Sequence, residues 1–288
     1  MACYHPLRGV VKGREFVTVP CGQCIGCRLE RSRQWAMRCV HESQLHEVSA
    51  FVTLTYDDEC LPLNGSLQRP PVDFQKFMKR VRKWWEPRRV RFFHCGEYGE
   101  SFGRPHYHAL LFGCGFDDQV LFSHSVSGEP IYCSAQLSAL WGAGFCTVGA
   151  VTFESAAYVA RYVVKKVTGA AAARHYERVD SETGEVLKLE PEYTTMSLKP
   201  GIGAGWFEKY KSEVYPSDEV VMRGRVMRPP RFYDVLLGRE DKVALELVKS
   251  ERVHSSWEHL ADQSPARLLV RETVKEAQSR FLKRSLED

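Results

Sequence analysis

The sequence predicts an α+β fold, an antiparallel sheet with helices packed on one side of it. Three observations predict it. Short apolar runs of strand length recur at Phe51–Tyr56, Val90–Glu97, His106–Phe112 and Phe145–Val151. Stretches with helical spacing of apolar residues lie between and after them, from about Asp73 to Trp85 and from Phe153 to Lys166. With a connection through Ser134–Trp141, the order reads β-α-β-β-α-β-α, which points to a sheet of ferredoxin-like type.

Residues 1–48 read as a cysteine-rich arm and a basic helix. Cys21, Cys24 and Cys27 stand at metal-ligand spacing in P-C-G-Q-C-I-G-C-R, and three thiolates need a fourth ligand for a closed structural Zn²⁺ site. Cys3, in the short arm before them, is the first choice, with His5 and Cys39 as alternatives. An iron–sulfur cluster also fits the C-x₂-C-x₂-C run, although the usual cysteine followed by proline is missing. The plainest reading is free thiols on a glycine-rich turn. Ten cysteines could form disulfides in an exported chain, but nothing in the sequence indicates export. The helix expected from Arg28 to about Glu47 carries Arg28, Arg31, Arg33 and Arg38 as a basic face.

Residues 49–168 hold the chemistry. Side chains alternate along a strand, so His106 and His108 share one face while Tyr107 projects from the other. The turn before them, rich in glycine, can bring Glu97 beside the pair. Two imidazoles and a carboxylate leave coordination positions open. That suits Mg²⁺ or Mn²⁺ polarising a phosphate oxygen, although non-haem Fe(II) uses similar ligands. An isolated H-x-H pair is more often structural, so the carboxylate matters.

In F-E-S-A-A-Y-V-A-R-Y-V-V-K-K, Ala156, Val159, Ala160, Val163, Val164 and Val167 form an apolar stripe. Tyr158 and Tyr162 are four residues apart and share a face nearly opposite its centre. Lys165 and Lys166 fall on that side, with Arg161 flanking it. Since the stripe supplies a core face, the tyrosines are expected outside the core, either as reactive groups or as plain surface tyrosines. A phenol has an unperturbed pKa of about 10 and is a weak nucleophile at neutral pH. A metal on a scissile phosphate and a lysine beside it would both lower that barrier. Attack leaves a 5′-phosphotyrosine and a free 3′-hydroxyl, and a second tyrosine permits a second cut while the first end is held.

From Lys79 to Arg91, seven Lys/Arg stand against Glu86, interleaved with Trp84 and Trp85. Basic side chains suit phosphates and aromatics suit unstacked bases. Arg80, Arg82 and Lys83, with Arg161 and Lys166, are therefore candidate DNA contacts; a solvated helix end with its tryptophans in the core explains the same composition. Residues 169–200 are charged, with a turn at Glu182–Gly184, and read as a loop or hairpin. Residues 201–288 form a C-terminal extension of unknown role, with Pro229-Pro230 and a charged helix from Pro265 to about Leu286.

Composition narrows the class. The 288 residues carry a net charge of +4, so basic character is local rather than general. No stretch is long and apolar enough to span a membrane, and the N-terminus lacks a signal-peptide core. No G-x-x-x-x-G-K-[S/T] occurs, since Gly201–Gly205 lacks the following lysine; strand separation would come from a host helicase.

The ordered set F-V-T-L-T-Y (Phe51–Tyr56), P-H-Y-H and Y-V-A-R-Y-V-V-K-K resembles the three motifs of rolling-circle replication initiators of the HUH endonuclease superfamily. Its two-tyrosine form resembles the branch found in small single-stranded DNA bacteriophages. P-C-G-Q-C-I-G-C-R and R-P-P-R-F-Y-D (Arg228–Asp234) resemble the gokushovirus group of microviruses. The likeness covers most of the chain and is weakest from about Gly169 to Lys199. It implies His106 and His108 as metal ligands, Tyr158 and Tyr162 as nucleophiles and Lys165 as their cationic neighbour. Glu97 matches best as third ligand, with Glu100 a rival. Tyr107 replaces the usual bulky hydrophobic residue between the histidines, and Arg161 keeps the charge of a position often lysine. The implied activity is site-specific nicking and strand transfer that starts and ends rolling-circle replication. Its implied partners are phage origin DNA and a host helicase and polymerase, in the host bacterial cytoplasm. Three readings compete with it: a zinc-stabilised origin-binding protein without nicking activity, a related relaxase or transposase, and an iron-dependent oxygenase. The last leaves the tyrosine–lysine face unexplained.

Overall fold

The computed structural model describes residues 3–12, 15–99, 103–125, 128–165, 171–179 and 184–280; side chains at 10–12, 15, 16, 162–165, 171, 173 and 280 lie outside the description. These residues divide into two compact units. One combines the residues up to Arg38 with those from Ala204 onward, and the other runs from Cys39 to Gly203.

The chain begins with an antiparallel hairpin of β1 (Leu7–Lys12) and β2 (Glu15–Val19), followed by α1 (Ile25–Ser43). The helix starts three residues earlier than the sequence predicts, so Cys27 belongs to its first turn. Then come β3 (Ser49–Leu54), α2 (Val72–Trp84), β4 (Arg91–Tyr98) and β5 (Pro105–Phe112). A hairpin of β6 (Val120–His124) and β7 (Pro130–Cys133) leads to α3 (Ala135–Trp141), β8 (Cys146–Gly149) and α4 (Phe153–Lys165). A short α5 (Ala171–His175), a hairpin of β9 (Glu177–Val179) and β10 (Val186–Lys188), and β11 (Tyr193–Met196) complete this unit.

Seven strands form one sheet in the order β11-β4-β5-β3-β8-β7-β6, and every neighbouring pair is antiparallel. Its middle, β4-β5-β3-β8, has the ferredoxin-like order. The flanking strands were not foreseen: β6 exposes Val120, Leu121 and Phe122, so it lacks the alternating burial that marks a strand, and β11 is short. Helices also cover both faces rather than one. Every residue of β5 is buried, which demands cover on each side. On one face Phe74, Phe77, Met78 and Val81 of α2, at i, i+3, i+4 and i+7, pack with Leu137, Leu140 and Trp141 of α3 against Val52, Leu54, Tyr107, Ala109 and Leu111. The other face carries α4.

Local chemistry sets the helix ends. Ser134 caps α3 by accepting from the Leu137 amide, and Gly142 closes it in the left-handed conformation at φ 65°. Thr152 and Ser155 form a reciprocal box at the start of α4: each hydroxyl accepts from the other's backbone N–H, at 3.1 and 2.8 Å.

The other unit continues through α6 (Ala204–Val214), the hairpin β12 (Val220–Met222) and β13 (Arg225–Met227), α7 (Arg231–Glu240), α8 (Lys242–Trp257) and α9 (Pro265–Arg280). The R-P-P-R-F-Y-D segment works structurally here. The Arg38 guanidinium lies 3.9 Å from the ring centres of both Trp35 and Phe232, and Tyr233 is fully buried. Asp234 accepts from Arg252 and from the Tyr215 hydroxyl, both at 2.7 Å. No helix among the described residues is long and apolar enough to cross a membrane.

One buried charge pair anchors the sheet's unit. Glu42 meets the Arg91 Nε at 2.5 Å and accepts from the Gly203 amide at 2.7 Å, while Arg91 also donates to the Pro200 carbonyl. Burial opposes ionisation of Glu42. It is outweighed by hydrogen bonds from His46 and Gly203 and by the Arg91 charge, which hold the carboxyl below its ordinary range. Arg91→Met should therefore lower unfolding free energy in urea by about 3 kcal/mol at neutral pH. A carboxyl with a lowered folded pKa stabilises above its unfolded pKa and loses that contribution as pH falls through the folded one. The gap between wild type and Arg91→Met should accordingly narrow on acidification.

Candidate metal centre and catalytic site

The register of β4 on β5 builds the site. Glu97 lies opposite His106 and Cys95 opposite His108, while Thr53 of β3 faces His108 from the other side. Directly opposed residues project to the same face, so Glu97, His106, His108 and Thr53 converge above the sheet. The turn is held by the Gly99 amide on the Arg104 carbonyl at 2.9 Å and by Arg104 Nη2 on the Tyr56 carbonyl at 2.8 Å. Gly96 is required next to Glu97: a Cβ there would stand 3.0 Å from Leu67 and 3.2 Å from the rings of Tyr107 and Tyr193. Tyr107 fits between the histidines because it points into the core, where its hydroxyl meets that of Tyr56 at 3.2 Å.

Both imidazoles aim Nε2 at one carboxylate oxygen, Glu97 Oε1, at 2.9 Å from His106 and 2.7 Å from His108. The far nitrogens are also engaged. His106 Nδ1 lies 3.1 Å from the Arg104 carbonyl, which can only accept, so Nδ1 carries the proton and Nε2 offers a lone pair. His108 Nδ1 lies 2.9 Å from Thr53 Oγ1. All three side chains are buried, and their ligand atoms lie within 4.8 Å of one another. Burial opposes charge on Glu97, yet the His108 charge and the hydrogen bonds from both histidines lower its pKa to about 2. An ionised carboxylate with two convergent imidazoles is a donor set that can hold a divalent metal. His94 shows the contrast: on the opposite face of β4 it stacks on Phe74, and burial keeps it neutral.

Tyr158 closes the site from α4. Its ring stands edge-on to His108, with centroids 5.0 Å apart, and its hydroxyl donates to Glu97 Oε1 at 3.4 Å. The sequence places it away from the core; instead it is 5% exposed, facing the sheet together with Ala156, Val159 and Ala160. The small residues of the stripe let α4 lie close, and the polar floor of Glu97 and the histidines receives the phenol. Tyr162 and Lys165 occupy the last turn of α4 with side chains outside the described set, and Lys166 and Glu100 lie outside the described residues.

Beside His106 opens a cavity of about 240 Å³ lined by Phe51, Phe122, Phe145, Glu129 and Glu154. Phe122 and Phe145 pack with centroids 5.2 Å apart, yet each remains about half exposed. Thr53 and these aromatics were not foreseen. Thr53 lies within F-V-T-L-T-Y, but its contact with His108 depends on register, and Phe122 belongs to the unforeseen hairpin.

The basic residues of α2 lie across the sheet from this centre. Arg80 donates to the carbonyls of Leu140 and Trp141 at 2.6 and 2.7 Å, satisfying the C-terminal end of α3. The Arg82 guanidinium sits 5.7 Å from the Phe92 ring centre, and Lys83 occupies the last turn of α2. Trp84 is 62% exposed, whereas Trp85 packs on Phe116. Arg161 is half-buried on α4. In the other unit, Cys3, Cys21, Cys24 and Cys27 come together, while His5 instead pairs with Glu272 at 2.6 Å.

Comparison with known proteins bears on this arrangement. A family model for the replication-associated protein ORF2 matches residues 49–167, the stretch from β3 to α4. The chain is 35% identical over 248 residues to replication-associated protein ORF2 of Spiroplasma virus 4, covering 82% of this chain and 73% of that one. It is 37% identical over 222 residues to replication-associated protein VP4 of Bdellovibrio phage phiMH2K, covering 74% and 65%. Against replication-associated protein ORF4 of Chlamydia phage 1 it is 28% identical over 224 residues, covering 76% and 53%. No solved structure matches. With a carboxylate–histidine centre beneath a tyrosine and relatives of this kind along most of its length, the chain belongs to the replication-associated proteins of microviruses.

Proposed function

We propose that this protein is a site-specific single-strand DNA endonuclease and strand-transferase that initiates and terminates rolling-circle replication of a phage genome. The observation that carries this reading is the convergence of Glu97, His106 and His108 beneath the Tyr158 phenol. Glu97 Oε1 and the two Nε2 atoms would hold Mg²⁺ or Mn²⁺. Such an ion withdraws charge from a bound phosphate oxygen.

The remaining steps belong to the chain's own groups. The phenolic oxygen of Tyr158 or Tyr162 attacks phosphorus and loses its proton. The bond from phosphorus to the 3′ oxygen breaks, and that oxygen takes up a proton as the free 3′-hydroxyl. The 5′ phosphate stays on the tyrosine, so later attack by a 3′-hydroxyl reverses the chemistry without ATP. The other tyrosine cuts the regenerated origin, which makes the reaction a cycle. Lys165, Arg161 and Lys166 offset phosphate charge. The cavity with Phe51, Phe122 and Phe145 supports an unpaired strand as substrate, because a base can stack where the phosphate reaches the metal centre. The 3′-hydroxyl would prime a host polymerase, with a host helicase opening the duplex, in the bacterial cytoplasm.

The test mixes the full chain with the supercoiled replicative form of its own genome and Mn²⁺, and looks for nicked DNA carrying SDS-resistant protein. An adduct is expected that needs metal and disappears in the Tyr158→Phe, Tyr162→Phe double variant. Tight binding without nicking would instead support an origin-binding protein. A companion measurement reads metal holding alone. Thr53→Val keeps the β-branched shape but removes the partner of His108 Nδ1, and should weaken Mn²⁺ binding by about tenfold or more in calorimetric titration.

A further inference from the structure

The four cysteines of the other unit are separate from the nicking chemistry, and their geometry is that of a closed metal site. Cys3 and Cys24 Sγ are 4.0 Å apart, as are Cys21 and Cys27 Sγ, and all four sulfurs lie within 4.8 Å of one another. A disulfide would need about 2.05 Å. Four thiolates around a single tetrahedral ion with bonds of about 2.3 Å are spaced by about 3.8 Å. In an iron–sulfur cluster the irons are interposed between the cysteines, which holds their sulfurs farther apart.

Backbone amides surround these sulfurs. The Cys21 amide donates to Cys3 Sγ at 3.2 Å, the Tyr4 amide to Cys24 Sγ at 3.3 Å, and the Cys24 and Gln23 amides to Cys21 Sγ at 3.3 and 3.5 Å. Amides aimed at sulfur favour thiolate over thiol and orient each ligand. Gly22, at φ 78°, makes the turn that allows Cys21 and Cys24 to approach one ion. Cys3 and Cys24 are buried, which is costly for thiolates unless a cation neutralises them.

We infer that Cys3, Cys21, Cys24 and Cys27 bind one structural Zn²⁺. The ion closes the base of the β1–β2 hairpin, since both strands lie between Cys3 and Cys21, and fastens it to the first turn of α1. Closing this loop removes conformational freedom that the arm otherwise keeps. His5, two residues after the first ligand, is then held where it pairs with Glu272 of α9.

The full chain, purified in chelator-containing buffer without added metal, should retain one zinc per molecule by elemental mass spectrometry. Cys3→Ser should lose it, whereas Cys60→Ser, altering an exposed thiol elsewhere, should keep it. Because Cys3→Ser could also unfold the arm, wild-type protein exchanged with Co²⁺ gives an independent reading. Intense tetrahedral bands with sulfur-to-cobalt charge transfer are expected. A weak octahedral spectrum, stoichiometric iron in place of zinc, or ready alkylation of all four thiols in the native chain would overturn the site.

Discussion

The antiparallel register between β4 and β5 governs everything the site can do. It sets Glu97 against His106 and leaves Tyr107 pointing into the α2–α3 core. Because side chains alternate, a slip by one residue would drive both imidazoles into that core and turn the Tyr107 phenol outward. The fully buried aromatic face therefore acts as a clamp: Phe74, Tyr107 and Trp141 cannot be exposed without losing much of the core, so the histidines cannot leave the other face. Gly96 adds a steric condition, since the strand carrying Glu97 must pass close to the Tyr107 and Tyr193 rings.

Burying an ionised carboxylate beneath a helix is unfavourable unless something compensates it. At Glu42 the compensation is complete within the protein, supplied by Arg91, His46 and the Gly203 amide. At Glu97 the partners are two imidazoles whose outer nitrogens are already occupied by the Arg104 carbonyl and Thr53. The first arrangement holds the scaffold together, while the second presents donor atoms suited to a cation. Tyr158 completes it because α4 crosses the same face with small residues toward the sheet.

Much of this was legible in the sequence, for a physical reason in each case. The strands and helices from Ser49 to Lys165 are continuous apolar or periodic segments, and their observed ends lie within about two residues of most expected ones. The convergence of Glu97 with His106 and His108 follows from alternation and a short turn, and the approach of Cys3 to its partners follows from a short arm. The β6–β7 hairpin stayed hidden because Val120, Leu121 and Phe122 are exposed, which removes the burial pattern that betrays a strand. Tyr158 was placed on the wrong side because a helical wheel reports the helix alone. Whether a phenol can be buried depends on what the opposing sheet offers, and here it offers a polar floor.

The most direct measurement is pulsed electron paramagnetic resonance of Mn²⁺ added to the full chain. A centre held by His106, His108 and Glu97 predicts nitrogen couplings from two imidazoles, reduced to one in either His106→Ala or His108→Ala. Mn²⁺ that binds with no nitrogen coupling, or with couplings unchanged in both variants, would contradict a metal centre at this place in the sheet.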